Sequence, residues 1–289
     1  MSSKNIEKET KKIFSKIHPK QYKSKKIFGR LNILFNHSFF KVNKNFFKNK
    51  ICLDAASGTN LNATLNLLKL GAKYVYSCDF NTKLKKITKN EFKPYKKKYE
   101  VKVANIKKLP YEDEFFDFVL CKGAIHHTTD YKKSIDELCR VTKKEGYIYL
   151  EAYGSGGIIR EITSFLRKKI IKDKAFKKEI VNLNKTKVVK LINYMTNNNF
   201  KKKIDILFDE DLVLTIKDRL LSPLYEEFSD VDIKKILKKN RFYQIKRLKR
   251  KPHFSNVRKY LINIYENYNT QYAKFLYGSG MPCIFAKKR

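Results

Sequence analysis

The segment ICLDAASGTNLNAT, residues 51–64, constrains this chain more than any other. A β-prone run ends in Asp54, and small residues lead through Gly58. Leu61, Leu65 and Leu68 then recur at helical spacing until Gly71 stops the pattern. Small residues let a ligand approach the backbone, and the helix start offers it unpaired N–H groups and a positive dipole end. Further on, the run VYSCDF ends a second strand in Asp79. A carboxylate there can accept both hydroxyls of a ribose. The turn has no GxGxxG set, so the close approach of a pyrophosphate is not provided for. A ligand with ribose and adenine but no phosphate fits better than a dinucleotide.

The alternation continues. Strand signals cover 51–54, 74–78, 99–104, 115–121 and 146–152, with a Lys-rich helical pattern at 82–92 and another helix at 134–141. Residues 115–121 are apolar on both faces, which fits a central strand. Strands and helices alternating at this length predict an α/β fold, a mostly parallel sheet with helices on both faces. Four parts follow: an N-terminal helical segment (1–48), a core (49–153), a mostly helical insert (154–228), and a C-terminal return to the core (229–289). That last part supplies a helix at 229–240, strands at 243–248 and 282–287, and a smaller insert at 250–280. Both inserts begin at the C-terminal end of a strand, the edge that holds ligands in open α/β sheets.

Composition sets the outer limits. With 289 residues, 42% hydrophobic, the chain can bury a sizeable core, which excludes wholesale disorder. No run approaches the ~18 apolar residues of a membrane span. The start, MSSKNIEKETKK, lacks the apolar stretch of a secretory signal. Five cysteines without CxxC or zinc-like spacing fit buried, reduced thiols in a cytoplasmic protein and no metal site. The net charge of +37 taken alone suggests nucleic acid or an anionic membrane surface. Yet 55 of the 65 basic residues are Lys, spread along the chain, a pattern that a bias toward A/T-rich codons also produces. Nucleic acid is therefore not the favoured partner.

In these segments the chain resembles the class I S-adenosylmethionine-dependent methyltransferases, in particular the broad "type 11"-like group that acts on small molecules and sugars. ICLDAASGTN resembles the first motif and VYSCDF the second. VANIKKLPYEDEFFDFVLCKGAIHHTTD and ELCRVTKKEGYIYLEAYG resemble the rest, in order and with normal spacing. The resemblance implies a Rossmann-like, seven-stranded, mostly parallel sheet with a helical lid insert, and S-adenosyl-L-methionine as cofactor. It implies that Asp54, Ala56, Ser57 and Gly58 surround the methionine part of the cofactor. Asp79 would hold the ribose, Phe80 would flank the adenine, and Asn105 and Ile106 would meet its edge and face. Cys121, Lys122 and Gly123 would line the cofactor beside the substrate. Three positions depart from the pattern: Ala56 and Asn60 stand where the family has glycine, and Asn105 where it has Asp. Asn tolerates a left-handed backbone, so that change is mild; Ala56 is tolerable only at negative φ.

The methyl acceptor is expected to be a small molecule or glycan, methylated at oxygen. His126 and His127 follow the fourth strand and are the candidates for a catalytic base, His127 aligning better with a histidine of related quinone-type O-methyltransferases. Glu151 and Tyr153 end the fifth strand and are candidates for binding substrate; Glu151 could equally be a structural hydrogen-bond acceptor. CysLysGlyAla stands where enzymes acting on nucleobase amino groups carry an Asn/Asp-Pro-Pro-aromatic turn. An RNA methyltransferase, favoured by charge, and a non-catalytic cofactor-binding or membrane-associated scaffold, favoured by the three departures, are the alternatives. In the insert, Ile158, Ile159, Ile162, Phe165, Leu166 and Ile170 form an apolar stripe. The first expectation is that it packs on the protein's own core; a peripheral membrane contact or a dimer contact are the others. Tyr260, Tyr265, Tyr268, Tyr272 and Tyr277 could stack on sugar or base.

Overall fold

β-branched and aromatic residues give seven strands: β1 (Ile51–Ala55), β2 (Tyr74–Asp79), β3 (Tyr99–Val103), β4 (Phe116–Lys122), β5 (Thr142–Glu151), β6 (Phe242–Arg247) and β7 (Cys283–Lys288). They form one sheet in the order β3-β2-β1-β4-β5-β7-β6 in a computed structural model that describes residues 3–23, 35–82, 84, 90–196, 210–249 and 270–289. β1 to β5 pair in parallel, and β7 alone runs antiparallel, between β5 and β6. The chain builds outward from β1 to β3 and then returns to place β4 on β1's other side. That reversal opens a crevice above the C-terminal ends of β1 and β4.

The described helices are α1 (Ser3–Lys23), α2 (Asn62–Lys69), α3 (Tyr131–Val141), α4 (Ile158–Lys172), α5 (Lys174–Asn182), α6 (Lys185–Thr196), α7 (Glu210–Leu221), α8 (Asp230–Lys239) and α9 (Gln271–Tyr277), besides a single turn at His37–Phe40. α3 and α8 cover one face of the sheet, where Ile135, Leu138, Ile233 and Leu237 meet Val119, Ile148 and Ile284. α2 and the Phe35, Phe40 and Phe47 cluster cover the other, against Phe118, Leu120 and Tyr149. Two apolar faces account for β4, which is buried on both sides between β1 and β5. Ser229 and Asp232 close a reciprocal cap at the start of α8, which fixes that helix where the sequence predicts it.

One expectation changes, and two fall wholly or largely outside the described residues. The helix predicted at 82–92 lies largely outside the described residues, and Asn90–Tyr95 forms a 3-10 turn with Pro94 inside it. Tyr260, Tyr265 and Tyr268 also lie outside the described residues. The apolar stripe of α4 packs only in part: Ile170 is buried and Leu166 half-buried. Arg160 and Thr163 join Ile170 on the buried side, while the other four, Ile158, Ile159, Ile162 and Phe165, are exposed. Backbone carbonyls that take guanidinium donors explain why arginine rather than isoleucine faces inward at positions 160 and 167. Arg167 donates to the oxygens of Arg219 and Ser222 at the C-terminus of α7 (2.6 and 2.8 Å), and Arg160 donates to those of Gly154 and Gly280 (2.9 and 3.1 Å). The Gly280 carbonyl also accepts the Gly154 N–H (2.8 Å), but carbonyls at a helix end have no partner within their helix, and guanidinium supplies several donors in one plane.

Candidate functional site

The β1–α2 turn sets the floor of the crevice. The Ser57 N–H donates to the carbonyl of Cys78 (2.9 Å), tying the turn to the end of β2. Asp79 then holds it from the side: one carboxylate oxygen accepts the Gly58 N–H at 3.0 Å and the other the Asn81 N–H at 2.9 Å. Each oxygen can accept a second time, so hydroxyl donors of a ribose suit this carboxylate.

Ala56 has φ +54°, in the region that glycine occupies at low cost. The condition set by the sequence, negative φ, is not met, and the turn is strained. Replacing Ala56 with Gly is expected to raise stability by about 1 kcal/mol, because the left-handed penalty exceeds glycine's entropy cost. Urea unfolding checks this; an unchanged midpoint would remove the strain. Asn60 is not left-handed. That conformation falls on Leu61 (φ +49°), and the Asn60 side chain instead accepts the Asn62 N–H at 3.3 Å.

Asp54 is 1% exposed at the end of β1. Burial pushes its carboxyl up to about 7, against the lowering effect of the Thr64 hydroxyl (2.7 Å) and of Lys122, and Asp79 pushes in the same direction as burial. A cation bound here favours the ionised form, so affinity for a cationic ligand should rise from pH 6 to pH 8 as the proton is released. Calorimetry in buffers of different ionisation heat would read that proton. Folding responds with the opposite sign. A raised acid stabilises the folded chain below about pH 4, the unfolded value, and that contribution is lost as pH rises through about 7. Asp54→Asn should therefore raise the melting temperature at pH 7.5 and flatten the pH dependence of binding.

The crevice encloses about 270 Å³ and is lined by Asp54, Ala56, Ser57, Gly58, Asp79, Phe80, Asn105, Ile106, Lys122, Gly123, His127, Glu151 and Tyr153, which brings together all but two of the predicted residues. The exceptions are Cys121 and His126. Cys121 is enclosed in the core, and burial pushes its thiol well up. His126 is 0% exposed, stacked on Tyr153 with ring centroids 3.7 Å apart, and its Nδ1 accepts the Tyr153 N–H at 3.3 Å. Burial first, then the neighbouring charges of His127 and Arg219, holds its ring well below the usual histidine range. It is a neutral support for Tyr153, away from the crevice, rather than a base facing it.

His127 faces the crevice. Its Nδ1 lies 2.9 Å from both the Leu224 carbonyl and the Ser222 hydroxyl, and that hydroxyl donates to the same carbonyl at 2.8 Å. The Leu224 carbonyl can only accept, so Nδ1 carries a proton, and whenever the ring is neutral Nε2 holds the lone pair. Nε2 stands 3.6 Å from Oδ1 of Asp218, whose other oxygen accepts the Tyr153 hydroxyl at 2.8 Å. Glu151 accepts the hydroxyl of Tyr149 at 2.9 Å and lies 3.6 Å from Lys122. Oδ1 of Asn105 accepts the Lys107 N–H at 3.0 Å.

Sequence reading missed the roof. Glu7, Thr10 and Phe14 of α1 line the crevice, and the Phe14 ring lies 4.9 Å from that of His127. Burial alone would raise Glu7, but hydrogen bonds from Lys107 and Thr129 outweigh it and hold its carboxyl below the usual range. Asp218 of α7 was missed too. Neither helix carries a motif, and only packing brings them to the sheet edge. Within a chain of charge +37 the crevice carries five acids, Glu7, Asp54, Asp79, Glu151 and Asp218, against Lys107 and Lys122. The lysines pair with Glu7 and Glu151, which leaves a negative interior suited to a cation. Phe80 and Ile106 add apolar walls. A sulfonium nucleoside has that mixture of positive charge, hydroxyls and a flat base, and these residues fit it. Among the described residues no cluster could hold a metal ion, and no helix is long and apolar enough to cross a membrane.

Residues 53–150 match the family model of a methyltransferase domain. An uncharacterized protein of Methanocaldococcus jannaschii is 35% identical over 91 residues, 32% of this chain and 40% of that protein. The tRNA (carboxymethyluridine(34)-5-O)-methyltransferase of Arabidopsis thaliana is 31% identical over 121 residues, 41% of this chain and 27% of that protein. The matches thus span less than half the length of these curated relatives. In fold the chain is similar to Burkholderia thailandensis 1,6-didemethyltoxoflavin-N1-methyltransferase, solved with bound 1,6-didemethyltoxoflavin and S-adenosylhomocysteine. The TM-score is 0.52 at 13% identity, covering 100% of this chain and 91% of that one.

Proposed function

We propose that this chain, whose residues 53–150 form a class I S-adenosylmethionine-dependent methyltransferase domain, methylates a hydroxyl oxygen of a small-molecule or sugar-like acceptor with His127 as proton acceptor. The observation that carries the reading is the orientation of His127. Its Nδ1–H is committed to Leu224 and Ser222, and its ring lines the same crevice as Asp54, Gly58 and Asp79.

S-adenosylmethionine, when bound, supplies a methyl group already activated by a positive sulfonium. Asp54 would offer negative charge to the cationic methionine part, Asp79 would accept from the ribose, and Phe80 and Ile106 would flank the base. Tyr153 and Glu151 would position the acceptor, and orientation of this kind can contribute roughly 7–11 kcal/mol. Nε2 of His127 takes the hydroxyl proton as the oxygen becomes nucleophilic, and Asp218 stabilises the resulting imidazolium. Glu7, Thr10 and Phe14 of α1 line the crevice beside these charges and narrow its access to water.

Transfer of labelled methyl from the cofactor to fractionated cell extract tests the acceptor class. Label in small, protease- and nuclease-resistant molecules supports the reading, whereas label confined to RNA overturns it. RNA as acceptor is the second reading, supported by the charge of +37 and by the likeness to the Arabidopsis tRNA enzyme. It requires RNA binding that weakens steeply with salt.

A further inference from the structure

The outward face of α4 is apolar at one end and basic at the other. Ile158, Ile162, Phe165, Lys169 and Lys172 follow one another at intervals of four, three, four and three, and so lie along one side of the helix. Ile158 is 40% exposed, Ile162 49% and Phe165 67%, and Lys168, Lys169 and Lys172 are exposed as well. Glu161 is the one exposed acid of α4, and the Lys169 ammonium sits over the ring of Phe176 at 4.9 Å. α9 packs against α4 and adds two exposed aromatic residues, Tyr272 and Phe275. The two helices are joined where Gly157 and Gly278 meet: a Cβ built on Gly157 would lie 2.3 Å from the Gly278 nitrogen, so neither backbone admits a side chain. This junction borders the crevice, because Met281, three residues past Gly278, lines it.

Exposed apolar side chains at the start of a helix and lysines further along the same side match the cross-section of a bilayer surface. The apolar residues reach the acyl boundary and the long lysines return to the phosphates. The charge around the face is complementary to anionic lipid. Residues 154–196 hold eleven basic residues against three acidic ones, and Lys174, Lys177 and Lys178 of the adjoining α5 are exposed. We propose that the outer face of α4, with Tyr272 and Phe275 of α9, docks on an anionic membrane surface. The docked chain presents the mouth of the crevice near the lipid.

The chain has no Trp, so Phe165→Trp places a single indole on this face. With vesicles of phosphatidylcholine and phosphatidylglycerol, its emission should move to shorter wavelength and become protected from iodide; with pure phosphatidylcholine the change should be much smaller. In co-sedimentation with the same vesicles, the neutral variant Ile158→Ser/Ile162→Ser/Phe165→Ser should bind about tenfold or more weakly, with charge and cofactor affinity unchanged. Equal sedimentation of this variant and the native chain, or sedimentation of Phe165→Trp with no spectral change, would mean adhesion by charge alone and overturn the proposal. Light scattering that shows a dimer dispersed by the serine substitutions would overturn it too, because a second copy would then own the face.

Discussion

Replacing Asp79 with Ala is expected to weaken S-adenosylmethionine binding about a hundredfold or more. Hydrogen bonds to a charged group contribute about 1.5–3 kcal/mol each, and two ribose hydroxyls would lose theirs. The loss extends to the turn itself. Asp79 accepts the N–H groups of Gly58 and Asn81, one on each oxygen, and both bonds are buried. Without the carboxylate these donors are stranded, at about 1–3 kcal/mol apiece. Asp79→Asn should be poorly tolerated for the same reason, since its amide nitrogen would face one of two donors. Calorimetry for binding and thermal unfolding for the turn separate the two effects. Binding by Asp79→Ala within a few-fold of the native chain would exclude Asp79 as the ribose acceptor.

His127→Asn should lower kcat by about 10²–10⁴-fold while leaving the cofactor's Kd in place. The distinction rests on position: the cofactor contacts proposed for Asp54, Asp79 and Phe80 do not involve the imidazole. The acidic limb of the pH–rate profile should disappear in the variant, because the group whose protonation stops the reaction is gone. Asp218→Asn should act more mildly, since Asp218 stabilises the protonated ring without accepting the proton. An unchanged kcat in His127→Asn, measured with an acceptor that takes label, would exclude the histidine as base.

Both predictions combine something read along the chain with something only packing supplies. The strand and turn that carry Asp54 and Gly58 and the strand end that carries Asp79 are each legible in a few residues, whereas it is the pairing of β1 with β2 that brings Asp79 onto the turn. The choice between His126 and His127 is not local. Adjacent residues on one turn point in different directions, and the sequence cannot say which ring Tyr153 covers. The left-handed backbone at Ala56 and Leu61 instead of Asn60 is of the same kind, because φ along a turn depends on how Cys78 and Asp79 hold it.

The sequence by itself made the alternation of strands and helices and the order of its motifs legible, because strand and helix periods and turn chemistry act over a few residues; the proposed cofactor rests on the resemblance that those motifs carry. Tertiary structure decided what closes the crevice and which way α4 faces. Glu7 and Asp218 lie far in sequence from the motifs they join, and no periodicity links them. The apolar count of α4 favours burial of its isoleucines. Ile170 is buried, but so is Arg160, and Arg167 is partly so, because carbonyls at the end of α7 and at Gly154 take their donors from these guanidinium groups, and a buried acceptor without one costs more than an exposed isoleucine.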